Sequence, residues 1–362
     1  ECTTSNASKQ PLHTNLQDIY QHLHDLIRFR LFSGEKPSSY TNIQIANGRA
    51  YCEVANEFSI ELTLIREDTI AWRVLSLQIF VQPSASAASI VTEDFSQQLV
   101  NFVQHHIFSS TEPLKKIYDI VHQFCLSLAF NVLLEQAKGF LMGKEQSFYM
   151  QHTTDSLTIF YWTKNRPKLT EATCEFVRIA RISEEYNPVL AVTHHTLQSN
   201  GVPRKTINLS SISVEQILLE ILSHQATRIL TDVFSSLQQS INHLPLDTEN
   251  VELISNTLNN IKHTRIRILL YANEFLCISI DNYTGKFTLD FANHDAASTQ
   301  EMEASINLQL DSISSIIIEL KRRAIISHIG EYMSFLELIP FHKLRLQYPS
   351  DNSFKFRFPD HV

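Results

Sequence analysis

AWRVLSLQIFV, residues 71–81, alternates like a β-strand, yet apolar side chains fall on both sides of it. Strict period-2 reading puts Leu75, Leu77, Ile79 and Val81 on one face and Trp72, Val74, Ser76, Gln78 and Phe80 on the other. The first face calls for a helix layer. The second is mixed, and calls for cover from flanking helices or from another subunit. Trp72 beside Arg73 invites a stacking platform or a phosphate clamp. Tryptophan more often packs in a core than carries a ligand, so Trp72 is expected to order this strand and Arg73 to mark its exposed start.

Working upstream, EFSIELTLI alternates Phe58, Ile60, Leu62 and Leu64, with Glu67-Asp68 as the turn into the opening stretch. Before it, NIQIANGRAYCEV carries Asn47-Gly48 between two short apolar runs. Asn-Gly tolerates the positive φ angles of a type I′ turn, a strong hairpin signal. Residues 42–82 therefore read as a four-stranded antiparallel meander. A helix precedes it: LHTNLQDIYQHLHDLIRFRLF sets Leu16, Ile19, Leu23, Leu26 and Ile27 on one face and stops at Ser33-Gly34.

Downstream, the polar stretch at 83–89 is a loop, and two helices follow. The clearer one starts at Glu112-Pro113, because proline suits the first helical position. Its stripe is Leu114, Ile117, Tyr118, Val121, Cys125, Leu128, Val132 and Leu133, and Gly139 and Gly143 bracket its end. Strands are expected at 147–151, 156–163, 174–182 and 189–193. A long helix then opens at Ser213 with Gln216 three residues on, a capping-box pattern. Its buried face is Val214, Ile217, Leu218, Ile221, Ile229, Leu230, Val233, Leu237 and Ile241. Further strands fall at 263–271, 274–281 and 286–291, the last two turning at Asn282–Gly285. One more helix is capped by Ser298 and Glu301, with Met302, Ile306, Leu310, Ile313, Ile317 and Leu320 inward.

The expected class is α+β: antiparallel meanders and hairpins packed against long amphipathic helices, in recurring helix–sheet–helix units. Three parts follow: 1–145 as a first unit, 146–337 as a second, and 338–362 as the start of an incomplete following module. The tetrapeptide ANEF occurs at 55–58 and 272–275, each time entering a strand. One shared tetrapeptide is close to chance, so any repeat is one of architecture.

Bulk properties narrow the function classes. The chain has 362 residues, a length that suits two or three domains, and 43% of them are apolar. A net charge of −8 argues against a general electrostatic grip on nucleic acid. Five cysteines, Cys2, Cys52, Cys125, Cys174 and Cys277, form no CxxC pair and sit in apolar segments, which suits a reducing compartment. Sequons at Asn6, Asn208 and Asn282 do not outweigh this. No apolar run reads as long enough to cross a bilayer. The start at Glu1 carries no signal-type segment and reads as part of something longer.

Catalytic chemistry finds no foothold. His105-His106, His194-His195 and the His22/His24 pair have the wrong spacing to share a face as metal ligands. GFLMGKEQ, residues 139–146, has three residues between its glycines and Glu145 after the lysine, so it is a helix end and no phosphate loop. Neither GxGxxG nor GxSxG occurs. Glu184-Glu185 and Glu301/Glu303 read as solvated charges. The basic and aromatic KLRLQY…FKFRF could line a single-strand nucleic-acid groove, but period-2 alternation favours plain strands. No catalytic, cofactor-binding or metal residue is assigned, and no cofactor is expected.

With these residues in place the chain resembles the Mediator complex subunit 14 family. IANGRAYCEV, EFSIELTL and WRVLSLQIFV follow, in order, a helix ending RFRLF. LVNFVQHHIF and PLKKIYDIVHQFCLSLAFNVLLEQ continue the likeness, with Tyr118, His122, Phe124, Cys125, Ser127 and Leu128 at a motif the family shows. It is specific over about 16–136, looser later, and covers most of 12–335. The signature residues are Asn47, Gly48, Trp72, Arg73, Leu75, Leu77, Tyr118, Phe124, Cys125 and Leu128. The resemblance implies the first repeat module of a larger nuclear scaffold, without the family's amino-terminal helical segment. It implies no enzymatic activity. Its partners would be head, middle and tail subunits of Mediator, subunit 17 and middle-module subunits among them. RNA polymerase II would be reached only indirectly, with no membrane and no direct specific DNA contact. On the residues alone, a nucleic-acid-binding module or a cytoplasmic adaptor of α+β units remains the alternative.

Overall fold

The computed structural model describes residues 12–35, 38–66, 70–83, 91–108, 110–163, 173–184, 187–197, 204–241, 251–258, 261–271, 274–291, 296–309 and 312–336. The expected turn at Glu67-Asp68, nearly all of the 83–89 loop, Leu310 and the module start at 338–362 lie outside them. The chain divides into two compact units, Glu1–Leu218 and Leu219–Val362.

Asn47 and Gly48 take φ of 51° and 69°, and so turn β1 (Asn42–Ala46) into β2 (Arg49–Val54) as a primed hairpin. The positive φ favours glycine here, and a Cβ would also stand 2.8 Å from Leu23 Cδ2, so that the Leu23 side chain would have to move aside. β3 (Phe58–Arg66) and β4 (Ile70–Ile79) complete an antiparallel meander in the order β1-β2-β3-β4.

The strict alternation read for residues 71–81 does not hold. Glu61 pairs with Ser76 and Leu62 with Val74, so Leu75 is an extra residue in β4. This β-bulge shifts the side-chain phase by one position. Trp72 and Val74 before it, and Leu77, Ile79 and Val81 after it, are all buried, Trp72 with 2% of its surface exposed. Leu75 is half-buried, and Arg73, Ser76 and Gln78 are exposed.

α1 (Leu12–Arg30) lies on this sheet near its carboxy-terminal end, where Ile27 is buried. It does not stop at Ser33-Gly34 but winds on into a π-helical turn, Leu31–Glu35, which buries Leu31. Ile19, expected on the inner face, is 58% exposed because it belongs to the helix's outer, largely exposed half. α2 (Glu93–Ile107) starts at Thr92, whose hydroxyl accepts from the Phe95 N–H at 3.4 Å.

α2 also seals the free edge of the sheet. The Gln104 carboxamide accepts from the Val74 N–H (2.8 Å) and donates to the Trp72 carbonyl (3.2 Å). An open strand edge invites pairing with another chain, and a covering helix is one natural remedy.

α3 (Pro113–Leu141) has Pro113 in its first turn and ends before Gly143, at φ +78°. By length and composition it could cross a bilayer, contrary to the sequence reading, but half of its most apolar window is buried inside the protein. It is a core helix. Leu126, Ala129 and Phe130 are buried beside the expected stripe, while Leu128 and Val132 are half-buried.

A five-stranded antiparallel sheet follows: β5 (Phe148–His152), β6 (Ser156–Tyr161), β7 (Phe176–Glu184), β8 (Asn187–His195) and β9 (Arg204–Thr206). β6 is buried along nearly its whole length. β9, only three polar residues, has no sequence signal. α4 (Val214–Ile241) starts at Ser213, whose hydroxyl accepts from the Gln216 N–H at 3.2 Å. Gln136 of α3 ties that start down, bonding the Ile212 carbonyl and the Val214 N–H at 3.0 Å each.

The second unit holds β10 (Val251–Leu258), β11 (Ile261–Tyr271), β12 (Glu274–Ile280) and β13 (Phe287–Phe291), again a sequential antiparallel meander. β10 was not anticipated; Leu253 and Ile254 are adjacent and a polar SNT run follows, which breaks the period-2 pattern. The turn before β13 places Gly285 at φ +68°. The single helix expected from Ser298 is two: α5 (Ala296–Leu308) and α6 (Ser312–Phe335). α5 begins before Ser298, so Ser298 and Glu301 lie inside it. Asn307 bonds both backbone groups of Phe287 (2.8 and 3.0 Å), and Glu303 accepts from the Leu289 N–H (2.9 Å). A meander with its last edge sealed by the next helix thus occurs in each unit. Both ANEF segments run into the third strand of a meander, with Phe58 opening β3 and Glu274 and Phe275 opening β12.

Candidate functional site

Tyr118, His122 and Cys125 follow helical spacing and share one face of α3. They meet the β2–β3 turn, where Asn56 takes φ 63° and Glu57 turns inward. Glu57 Oε2 lies 2.6 Å from His122 Nδ1, and the Pro188 carbonyl lies 2.8 Å from His122 Nε2. Both partners only accept, so the doubly protonated imidazolium fits the pocket. Its side chain is 4% exposed and that of Glu57 16%. Burial by itself would lower the histidine pKa. The Glu57 hydrogen bond and charge, with the Pro188 carbonyl, outweigh burial and raise it above the ordinary value. The Tyr118 ring stacks on the imidazole at 5.0 Å, and Tyr40 meets Tyr118 and Phe58 edge-on. The Tyr40 hydroxyl donates to the Leu114 carbonyl at 3.2 Å.

Glutamate, histidine and cysteine side by side look like nucleophilic machinery, but the chemistry is blocked. Burial pushes the Cys125 thiol far up, so no thiolate forms near neutrality. Its Sγ donates to the Glu57 carbonyl (3.7 Å). Both imidazole nitrogens are spent, which leaves none for a base or a metal ligand. The cluster is a structural pin: helix α3 holds the β2–β3 turn with one ring nitrogen and β8 with the other. Sequence reasoning caught Tyr118 and Cys125 and noted His122. It missed Glu57 and Pro188, which lie 65 and 66 residues away in the chain.

The other signature residues lie elsewhere. Phe124 is half-buried and stacks on Phe95 of α2 at 5.5 Å. Leu128 is half-buried further along α3, Trp72 and Leu77 lie on the buried face of β4, and Asn47-Gly48 makes the far hairpin. The signature therefore marks several points of one module's core and turns.

Among the described residues no three His, Cys, Asp or Glu side chains cluster as a metal site needs. A groove of about 570 Å³ in the second unit contains Arg265, Asp281 and Tyr283. The Asp281 carboxylate is spent on its own turn, accepting from the Tyr283 N–H and the Thr284 hydroxyl. Large apolar side chains do face solvent: Tyr20 and Phe29 on α1, Phe32 in the π-helical turn with Arg28 over its ring, Phe102 on α2 and Phe108 just past its end.

The family described as Mediator complex subunit MED14 matches residues 2–66. A Dictyostelium discoideum protein named for subunit 14 of the mediator of RNA polymerase II transcription is 22% identical over 94% of this chain. The mouse and human proteins of that name are 26% and 24% identical, each over 84% of this chain. The chain spans 29%, 21% and 21% of the lengths of these three relatives. The likeness read over most of residues 12–335 is thus matched by similarity over 84–94% of the chain.

Proposed function

We propose that this chain is a segment of a Mediator subunit 14, a non-enzymatic scaffold working in the nucleus as part of the transcription coactivator. The observation that carries the reading is similarity to subunit 14 proteins over most of the chain. The build of the molecule supports it. The Cys125–His122–Glu57 cluster is locked by its own bonds, whereas aromatic side chains on α1 and α2 are open to solvent. In this role the helix faces bury against head, middle and tail subunits, subunit 17 and middle-module subunits among them. They hold these in register and so couple activators to RNA polymerase II. The signature residues act by fixing the module's shape.

Affinity purification of the tagged full-length protein from nuclear extract tests this. Stoichiometric recovery of head and middle subunits is expected, resistant to moderate salt. Recovery of the protein alone would overturn the reading.

A further inference from the structure

α6 carries two apolar stripes. Ile313, Ile317, Leu320 and Ala324 are buried against the second unit. About a third of a turn away run Ile318, Arg322, Ile325, Ile329, Tyr332 and Leu336, spaced 4, 3, 4, 3 and 4. That spacing is the heptad seam of a coiled coil, with Ile318, Ile325 and Tyr332 at d and Arg322, Ile329 and Leu336 at a. Leu336 continues the helix through a 3.0 Å bond from its N–H to the Tyr332 carbonyl. Ile329 is half-buried; the other five are exposed, Tyr332 by 59% and Leu336 by 61%. Ile326 and Phe335 flank the seam at e and g, and are exposed too. The seam is about 27 Å long at the helical rise.

We infer that this seam of α6 is a docking surface for an α-helix of another protein, one with apolar a and d positions and a carboxylate placed opposite Arg322. The heptad spacing selects a helix, because only a helix offers holes at that period. The charge at Arg322 selects its chemistry. Glu319 bonds Arg323 at 3.0 Å and stands 3.9 Å from Arg322, so Arg322 is only loosely held within its own helix. A charged residue at one seam position fixes register and choice of partner. A parallel second copy would set Arg322 against Arg322. An antiparallel copy centred on the seam would offer it only the ring of Tyr332. Neither supplies a carboxylate. The inference stands on the spacing and the charge, and does not depend on which complex the protein serves.

The test places a photo-crosslinking benzoylphenylalanine at Ile325, and separately at Tyr332, in the full-length protein within its native assembly. The expected products join both positions to one peptide of another protein, at sites seven residues apart on an apolar heptad face. Arg322→Glu should then lower that crosslink at least tenfold with the melting temperature unchanged. Replacing the facing carboxylate by arginine should restore it. Crosslinks to this chain or to a second copy, to a peptide without heptads, or none at all would overturn the inference. So would an Arg322→Glu protein that crosslinks normally. A heptad helix from outside Mediator would uphold it while removing the proposed function.

Discussion

His122 holds the first unit through two acceptors that come from distant parts of the chain, and this makes it a pH-dependent contributor to stability. Its folded pKa is raised above the unfolded value of about 6.5. The contribution is therefore fully present below about pH 6.5 and is lost as pH rises through the folded value. In urea unfolding monitored by circular dichroism, the wild type should exceed His122→Phe most at pH 6 and progressively less toward high pH. At pH 6 the variant, which leaves the Glu57 carboxylate without its charged partner, should be weaker by about 1.5–3 kcal/mol. A gap that widens with pH would reverse the sign of the assignment. Trp72, 2% exposed, packs in the core. Trp72→Ala should cost about 3–5 kcal/mol, read as a lower urea midpoint. Loss of assembly with that midpoint unchanged would instead make Trp72 a contact residue. At this scale the sequence was legible where chemistry is local: Asn47-Gly48 names its own turn. The His122 pin was not, because nothing local links it to Glu57 or Pro188.

At the level of elements, helices and strands with clean periodicity were readable, and the departures share a cause. Each arises where a backbone detail or a distant polar contact overrides the pattern. The bulge at Leu75 moves Trp72 and Val74 onto the face of Leu77 and Ile79, so neither face was as mixed as strict alternation implied. The apolar period from Met302 to Leu320 runs unbroken across the gap between α5 and α6. β9 is polar, and β10 sets Leu253 beside Ile254 ahead of a polar SNT run, so neither shows a clean period of two. The edge seals were equally hidden, since Gln104 and Asn307 are ordinary surface residues by sequence. Gln104→Leu should remove the acceptor of the Val74 N–H and one donor to the Trp72 carbonyl, at a cost of about 1–3 kcal/mol. It should also open the β4 edge to pairing. Sedimentation velocity should then show concentration-dependent self-association that the wild type lacks; a monomeric variant of wild-type stability would show that α2 covers the edge without Gln104.

At the scale of the whole molecule, each unit seals the last edge of its meander with the following helix and leaves large apolar side chains on its helices open to solvent. That pattern suits a part that is held on several sides. The acidic balance and the absence of nucleotide or catalytic motifs could be read from the sequence. Which helix faces stay open could not, because burial depends on where each helix leaves its sheet, as Ile19 on α1 shows. The most direct measurement is crosslinking mass spectrometry on the intact complex purified through the full-length protein. Lys115 and Lys138 on α3 are exposed and available as reporters, and Lys321 lies beside the α6 seam. Crosslinks from these lysines to other Mediator subunits, on more than one helix, are the expected result. Crosslinks confined to this chain, or directed to proteins outside Mediator, would contradict the scaffold role.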